Sequence, residues 1–235
     1  MLPVIMIGTL RLSSYWLMFV VGVCSMGVLM IRRRKEYRLS IARAVLFTLV
    51  LAVCGVSGTK LLYLAENWKL MLERGSILGG GLSFFGAVFL IPILMPLVGR
   101  LMGLSAGQTL DACASCVASM IGFMRFGCFL NGCCGGWKAN VCGIQFQWPT
   151  QAMESIGDFL ILGILLQMEA QEVHPGRRYA VFMLDYGILR FFVEFLRDTP
   201  KGLLALGNGQ WFALISIVIG GALLLKEKQR RKDRT

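Results

Sequence analysis

Charged residues are scarce in this 235-residue chain. They make up 16% of the sequence, beside 56% hydrophobic residues, whereas soluble domains hold roughly 25% charged residues. This scarcity excludes an ordinary soluble domain. A helix that crosses the hydrocarbon core takes about 20 mostly apolar residues, so the length accommodates about six to eight spans and no sizeable soluble domain. The function is therefore expected within or beside a membrane.

Acidic residues are few as well, with 13 Asp and Glu against 24 Lys and Arg. On a soluble surface such an excess of basic charge would suggest nucleic acid. Half of the basic residues instead lie in two blocks, residues 32–43 and 226–234, each directly after an apolar run. Basic segments in that position stay on the cytoplasmic side of a membrane and attract anionic lipids. No nucleic-acid partner is predicted.

Long apolar runs predict an all-α, polytopic integral membrane protein with about seven transmembrane helices. The predicted spans lie at about 15–31, 41–65, 77–98, 109–130, 152–168, 179–196 and 210–225. Alternation from the first basic block places the amino terminus outside and the basic tail, residues 226–235, in the cytoplasm. The chain is thus predicted to be a single transmembrane domain, residues 1–235, with a short outer segment at 131–151.

Several charged residues lie inside the predicted spans, where a charge costs roughly 2.5–3.5 kcal/mol and is kept for a partner or a task. Arg125 lies near the outer end of the fourth span. In the sixth span, Tyr186, Arg190 and Glu194 recur every four residues and share one helical stripe, with Arg197 three residues further on. In one interpretation, Arg190 and Glu194 pair and pin two helices together. In the other, Arg125 and Arg190 present forked donors to the phosphate diester of a phospholipid.

Polar and glycine-rich segments accompany these charges. Asn131 offers a neutral donor in the outer segment, and Tyr15 offers a hydroxyl early in the first span. Residues 79–81, all glycine, open the third span and are followed by Ser83. Small residues let helices pack closely, while a loosened helix end would direct free backbone N–H groups at a phosphate. Both interpretations remain open from the sequence.

The eight cysteines follow no paired pattern of a secreted disulfide-rich domain. Cys128, Cys133, Cys134 and Cys142 lie in or beside the outer segment that carries Arg125. Three interpretations compete for them: structural disulfides, a thiolate metal site, and a reactive thiol whose thiolate form is favoured by the nearby arginine. On balance, the sequence predicts neither a bound metal nor a cofactor.

Histidine is almost absent. The single histidine, His174, lies in a predicted cytoplasmic connection, far from the outer cluster. The outer site therefore lacks the usual general base at neutral pH. Proton transfer there would use a carboxylate, a thiol or a substrate that ionises itself.

Taken in order, these motifs resemble those of the prolipoprotein diacylglyceryl transferases, membrane enzymes of bacterial lipoprotein maturation. The similar blocks are Tyr15, then Gly80-Gly81-Leu82-Ser83-Phe84-Phe85-Gly86, then Arg125-Phe126-Gly127 through Asn131-Gly132 and Gly136, then Pro149-Thr150-Gln151 with Glu154, then Tyr186-Gly187-Ile188-Leu189-Arg190 with Glu194-Phe195 and Arg197. They extend from residue 15 to about residue 198. The strength of the resemblance lies in the ordered set.

The resemblance implies transfer of the diacylglyceryl group from phosphatidylglycerol to the lipobox cysteine of a preprolipoprotein, with release of glycerol phosphate. It also implies a multi-pass protein of the bacterial inner membrane whose site faces the outer leaflet. The catalytic residues predicted on this basis are Arg125, Arg190, Glu194, Tyr15, Cys128 and Cys133. The predicted substrate-binding residues are Arg125, Asn131, Gly136, Gly80, Gly81, Ser83, Glu154 and Arg197.

The chain also departs from the family pattern at four functional positions. Where the family has His, Asn, Glu and a second His, this chain has Phe85, Cys128, Cys133 and Trp148. Arg125 and Arg190 can still stabilise a phosphate leaving group. Deprotonation of the acceptor thiol then falls to Glu154, Glu194, a thiolate of Cys128 or Cys133, or the lipid phosphate.

Two alternatives follow from these departures. One is a related lipid-modifying or thiol-dependent membrane enzyme in which Cys128, Cys133 and Cys134 carry the chemistry. The other is a non-catalytic phospholipid-binding protein that retains the fold without the base.

Overall fold

The computed structural model describes residues 4–7, 10–69, 83–141, 144–169, 171, 174–199, 202 and 205–232. Within these residues the chain forms helices α1 Ser14–Arg33, α2 Ile41–Glu66, α3 Phe85–Leu101, α4 Ala106–Asn131, α5 Thr150–Glu169, α6 Arg177–Glu194 and α7 Asn208–Lys232. Two antiparallel hairpins accompany them, β1 Val4–Ile7 with β2 Leu10–Ser13 and β3 Lys138–Val141 with β4 Ile144–Gln147. The predicted helical class is confirmed, and both hairpins are additions to the prediction.

Membrane-spanning character differs among the helices. Among the described residues, four helices are long and apolar enough to cross a membrane, namely α1, α2, α4 and α7 from Asn208 to Gln229. Helix α3 is apolar but shorter. Helices α5 and α6 carry several charged residues, and these residues lower the mean hydropathy of both helices. The predicted start of the third span, residues 77–82, lies outside the described residues.

Helix α4 is the centre of the bundle and packs against α1, α3, α5 and α6. Its middle is built from small side chains, and Ala112, Ala114, Ser115 and Ala118 are all almost completely buried. Small residues allow neighbouring helices to approach closely without leaving voids. The last turns of α4, which carry Arg125, are therefore surrounded by other helices.

Ion pairs link the helices at the end of the bundle opposite Arg125. Arg33 at the end of α1 is ion-paired with Glu169 at the end of α5. Arg178 donates from Nη2 to Oε1 of Glu36 at 2.6 Å. Asp111 accepts hydrogen bonds from the backbone of the first turn of α6, where a carboxylate also complements the helix dipole. Charges at this end therefore have structural partners.

Helices α2 and α3 meet at Gly58 and Gly86. A Cβ on Gly86 would overlap the carbonyl of Gly58, and a Cβ on Gly58 would lie 2.5 Å from the carbonyl oxygen of Gly86. Backbone atoms cannot yield, so Gly86→Ala must push the helices apart at a cost of about 1–3 kcal/mol. We expect it to lower the thermal unfolding midpoint in detergent by several degrees.

Gly55→Ala is the matched control, because Gly55 lies near Gly58 on α2 and no atom lies within 4 Å of its Cβ position. It should leave the midpoint unchanged or raise it slightly, since Ala favours helix over Gly. Equal midpoints for Gly86→Ala and Gly55→Ala would contradict the close approach.

Candidate active site

Five charged side chains from three helices and the turn after α6 meet at one end of the bundle. Arg125 of α4 is ion-paired through Nε with Oε2 of Glu154 on α5. Arg190 of α6 donates from Nη1 to Oε1 of Glu154 at 2.5 Å and lies with Nη2 2.7 Å from Oε2 of Glu194. Nη1 of Arg197 lies 3.5 Å from Oε1 of Glu154. We call Arg125, Glu154, Arg190, Glu194 and Arg197 the arginine cluster.

Glu154 is the centre of the arginine cluster. It is 3% exposed and contacts all three guanidinium groups. The cluster's ion-paired groups number three cations and two anions, which leaves one positive charge in excess. Burial lowers the pKa of Arg197, and the neighbouring Arg190 acts in the same direction. An anionic ligand such as a phosphate would relieve this excess charge.

An aromatic wall lies along one side of the cluster, on the stripe of α6 that carries Arg190. Tyr186, one turn before Arg190, is fully buried and packs against Phe182 and Phe85. Phe85 also packs against Phe212, with ring centroids 5.4 Å apart. The position of Phe85 therefore provides an apolar surface and no proton acceptor.

The chain reverses direction where α4 ends. Gly132 ends the helix in the left-handed region with φ 73°, a conformation that glycine adopts without steric cost. Cys134 follows with φ 61°. The two left-handed residues return the chain toward the helix end, and the Cys133 thiol donates to the carbonyl of Cys128 at 3.7 Å.

This reversal brings three thiols together. The sulfur atoms of Cys128, Cys133 and Cys134, which we call the thiol cluster, all lie within 4.8 Å of one another. None of the three forms a disulfide. Cys128 is 8% exposed, whereas Cys134 is open to solvent. A hydrogen bond from the Cys128 thiol and the nearby Arg197 lower the pKa of the Cys134 thiol. Cys142 lies outside the described residues.

The thiol cluster and the arginine cluster are connected through the backbone of the turn. Gln151 Nε2 donates to the carbonyl of Cys133 at 2.5 Å, and the hydroxyl of Thr150 donates to the carbonyl of Cys134 at 3.3 Å. Arg197 Nη2 also donates to the carbonyl of Cys134, at 3.5 Å. The two clusters therefore form one continuous site.

Comparison with known proteins agrees with this geometry. The family model described as prolipoprotein diacylglyceryl transferase matches residues 3–226. The chain belongs to this family. A phosphatidylglycerol–prolipoprotein diacylglyceryl transferase of Clostridium tetani is 30% identical over 227 residues, covering 90% of this chain and 91% of that protein. Transferase 2 of Clostridium perfringens is 29% identical over 231 residues, covering 92% and 90%.

A third relative carries the same name. The protein of Methylococcus capsulatus is 31% identical over 246 residues, covering 95% of this chain and 94% of its own length. The resemblance drawn from the motifs is thus confirmed. Family membership and the four apolar helices together identify a membrane protein.

Most of the predicted site residues of this transferase family member lie together. The two clusters contain Arg125, Glu154, Arg190, Glu194, Arg197, Cys128 and Cys133. Tyr15, at the start of α1, faces α4 at Gly127, where a Cβ would lie 3.5 Å from the Tyr15 Cα. Asn131 is the last residue of α4. These residues share one end of the bundle, as the motif order suggests.

Gly136 has a clear packing role. Its N–H donates to the carbonyl of Trp148 at 2.9 Å, and it forms a β-bridge with Arg197. A Cβ there would collide with the carbonyl of Leu196. Gly136 therefore lets the outer turn lie against the residues that follow α6.

The glycine-rich entry to the third span is described only in part. Ser83 precedes α3, and its N–H donates to the carbonyl of Thr59 at 3.0 Å. This bond links the start of α3 to α2. Gly80 and Gly81 lie outside the described residues, so their predicted phosphate contacts stay predictions.

Two polar residues of the site are not among the predicted site residues. Asp158, one turn after Glu154, is 1% exposed, and neither carboxyl oxygen has a hydrogen-bond partner among the described residues. Gln151 fixes the Cys133 carbonyl. The sequence does contain a signal for Asp158, because a carboxyl group four residues after Glu154 lies on the same helical face inside an apolar span.

An apolar groove of about 460 Å³ lies between α1, α4 and α5. Its lining includes Val21, Val28, Phe123, Phe159 and Leu162. Phe123 lies two residues before Arg125 and Phe159 five residues after Glu154. The groove thus offers an apolar surface between three helices, within a few residues along the chain of Arg125 and Glu154.

Proposed function

We propose that this chain transfers the diacylglyceryl group of phosphatidylglycerol to the thiol of a lipobox cysteine in a preprolipoprotein. The arginine cluster carries the proposal, because it offers forked donors and excess positive charge at one end of a bundle of apolar helices. The names of the relatives supply the donor and the class of acceptor.

In this reaction the phosphate is the leaving group. Negative charge grows on its oxygen as the glyceryl carbon–oxygen bond breaks, and fixed cations in a water-poor site stabilise that charge strongly. Arg125 and Arg190 supply the donors, and Glu154 holds both guanidinium groups in place. Asn131 and Tyr15 bind the substrate at the mouth of the site. The apolar groove beside Phe123 takes an acyl chain.

The orientation in the membrane is also part of the proposal. All seven helices span the membrane as a single domain, the amino terminus lies outside and the tail lies in the cytoplasm. The arginine cluster then faces the outer leaflet of the bacterial inner membrane, and residues 131–151 form a reduced outer head. This orientation is supported by Arg33 and Arg178, which lie at the end of the bundle opposite the arginine cluster.

A direct transfer assay tests the function. Detergent-purified protein mixed with phosphatidylglycerol and a lipobox peptide should yield a peptide carrying one diacylglyceryl group by mass spectrometry, together with glycerol phosphate. A family enzyme serves as the positive control, and a peptide with Ser in place of its Cys as the negative control. No adduct beside a working positive control would overturn the proposal.

The same spectra address the thiol-dependent alternative, which the proximity of three sulfur atoms favours. A diacylglyceryl group on Cys128, Cys133 or Cys134 of the protein itself, chased to the peptide on later addition, would identify a covalent intermediate. An adduct that appears only on the peptide supports direct transfer.

A further inference from the structure

Deprotonation of the acceptor thiol is the unexplained step of the proposed reaction. Phe85, at the position of the family's histidine, is part of an aromatic cluster. Glu154 contacts three guanidinium groups, and Glu194 is engaged by Arg190 and by the hydroxyl of Thr199 at 3.1 Å. Both carboxylates are thus already engaged by partners in the site. The site needs another group that activates a thiol.

The thiol cluster has the dimensions of a metal site. Zinc binds thiolate sulfur at about 2.3 Å in a tetrahedron, which separates the sulfurs by about 3.8 Å. The sulfurs of Cys128, Cys133 and Cys134 lie within 4.8 Å of one another, so a small side-chain movement closes the site. The left-handed residues Gly132 and Cys134 hold them on one side of the turn.

Charge and exposure fit a metal that works on a substrate. Three thiolates and one divalent cation carry a net charge of −1, and Arg125 and Arg197 lie close enough to the cluster to offset it. Cys128 anchors the cluster in the bundle, whereas Cys134 is exposed. The fourth tetrahedral position therefore opens outward, where a peptide thiol can enter. Three protein ligands with one open position are typical of a catalytic zinc site.

We infer that Cys128, Cys133 and Cys134 bind one Zn²⁺ ion whose fourth ligand is the acceptor thiol, in place of the histidine base that this chain lacks. The inference rests on the proposed function for the identity of that thiol. The metal site itself stands on the geometry of the three sulfurs.

The acceptor thiol replaces the water on zinc and becomes a thiolate, because a thiol that coordinates zinc loses its proton; that proton leaves with the displaced water as hydronium. The thiolate sulfur attacks the glyceryl carbon of phosphatidylglycerol, forming a carbon–sulfur bond. The carbon–oxygen bond breaks, and its electron pair leaves on glycerol phosphate beside Arg125. The thioether then dissociates from zinc and water returns.

Metal binding is measured first and without substrate. Full-length protein, purified in detergent with a non-thiol reductant and stripped with a chelator, is titrated with Co²⁺ and then Zn²⁺. We expect one Co²⁺ per chain, with the sulfur-to-cobalt charge-transfer band of a tetrahedral thiolate site, and displacement by Zn²⁺. Cys128→Ser, Cys133→Ser and Cys134→Ser should each weaken or abolish the band. The matched control is Cys54→Ser, a thiol of α2 outside the site, which should leave it intact.

The transfer assay then tests whether the reaction depends on the metal. Chelation should lower peptide transfer about a hundredfold or more, the usual contribution of a general base, and Zn²⁺ should restore it. Transfer that is indifferent to chelation overturns the inference and leaves the proposed function standing. A cobalt band without transfer supports the metal site and counts against the proposed function.

Asp158→Asn provides a second test if the cysteine variants fold poorly. Asp158→Asn has nearly the same shape and alters the one buried carboxyl group without a partner among the described residues. If transfer is lost in Asp158→Asn and unchanged by chelation in the parent protein, Asp158 is the proton acceptor and the zinc site is wrong.

Discussion

Glu154→Ala should strongly destabilise the folded protein. The substitution leaves Arg125, Arg190 and Arg197 without the carboxylate that contacts all three, and breaking a buried ion pair by removing one partner costs about 3–5 kcal/mol. Glu194 still reaches Arg190 and Arg197 but does not pair with Arg125. Since whole domains are stable by about 5–15 kcal/mol, this loss removes a large part of the stability of the bundle. Fluorescence-detected size exclusion in detergent should show aggregation or a strongly reduced peak.

Glu66→Ala is the control for this experiment, because Glu66 lies exposed at the end of α2. It should elute and unfold like the parent protein. Glu154→Gln retains the side-chain volume and one acceptor oxygen, so its stability should lie between that of Glu154→Ala and that of Glu66→Ala. A monodisperse Glu154→Ala protein with an unchanged unfolding midpoint would mean that the three arginines do not depend on Glu154.

The helices were predictable because the bilayer imposes a length on them. Predicted spans at about 41–65 and 152–168 correspond to α2 Ile41–Glu66 and α5 Thr150–Glu169. The β3–β4 hairpin was not predicted, since four-residue strands are too short to show an alternating pattern. Local hydropathy thus gives the helices but says little about the short connections between them.

The arginine cluster was predictable only in part. The pairing of Arg190 with Glu194 follows from their spacing of four residues on α6. The contact of Arg125 with Glu154 joins two helices, and no periodicity within either helix specifies it. The resemblance predicts that Glu154 binds substrate, and its contacts with the three guanidinium groups give it a structural role in addition. Such long-range pairing is decided by how the helices pack.

The cysteines show the same limit. The sequence left disulfide, metal and reactive-thiol interpretations open for Cys128, Cys133 and Cys134. Their proximity depends on left-handed residues at Gly132 and Cys134. Glycine at the end of a helix is a known signal for that conformation, but cysteine is not. The backbone after α4 therefore supplied the information that favours the metal interpretation.

Arg125→Ala should lower transfer by about a hundredfold or more in kcat/KM while the protein remains folded. Removing one donor that stabilises a developing anion typically costs about 10²–10³ in rate, and Arg125 contributes a full charge beside the leaving group. The fold should survive because Glu154 keeps its contacts with Arg190 and Arg197. Peptide transfer measured by mass spectrometry, with the unfolding midpoint measured on the same preparation, separates these two effects.

The contrast between Arg125→Ala and Glu154→Ala distinguishes phosphate binding from structural support, since the two residues form one ion pair. If that pair served only to hold α4 and α5 together, both variants would lose stability, and Arg125→Lys would restore the fold and the activity together. If Arg125 binds the phosphate, Arg125→Lys keeps the charge but loses the fork, so a well-folded protein regains only part of the transfer rate. Arg100→Ala, an exposed arginine at the end of α3, is the matched control and should change neither measurement. A folded and fully active Arg125→Ala protein would remove Arg125 from the phosphate site.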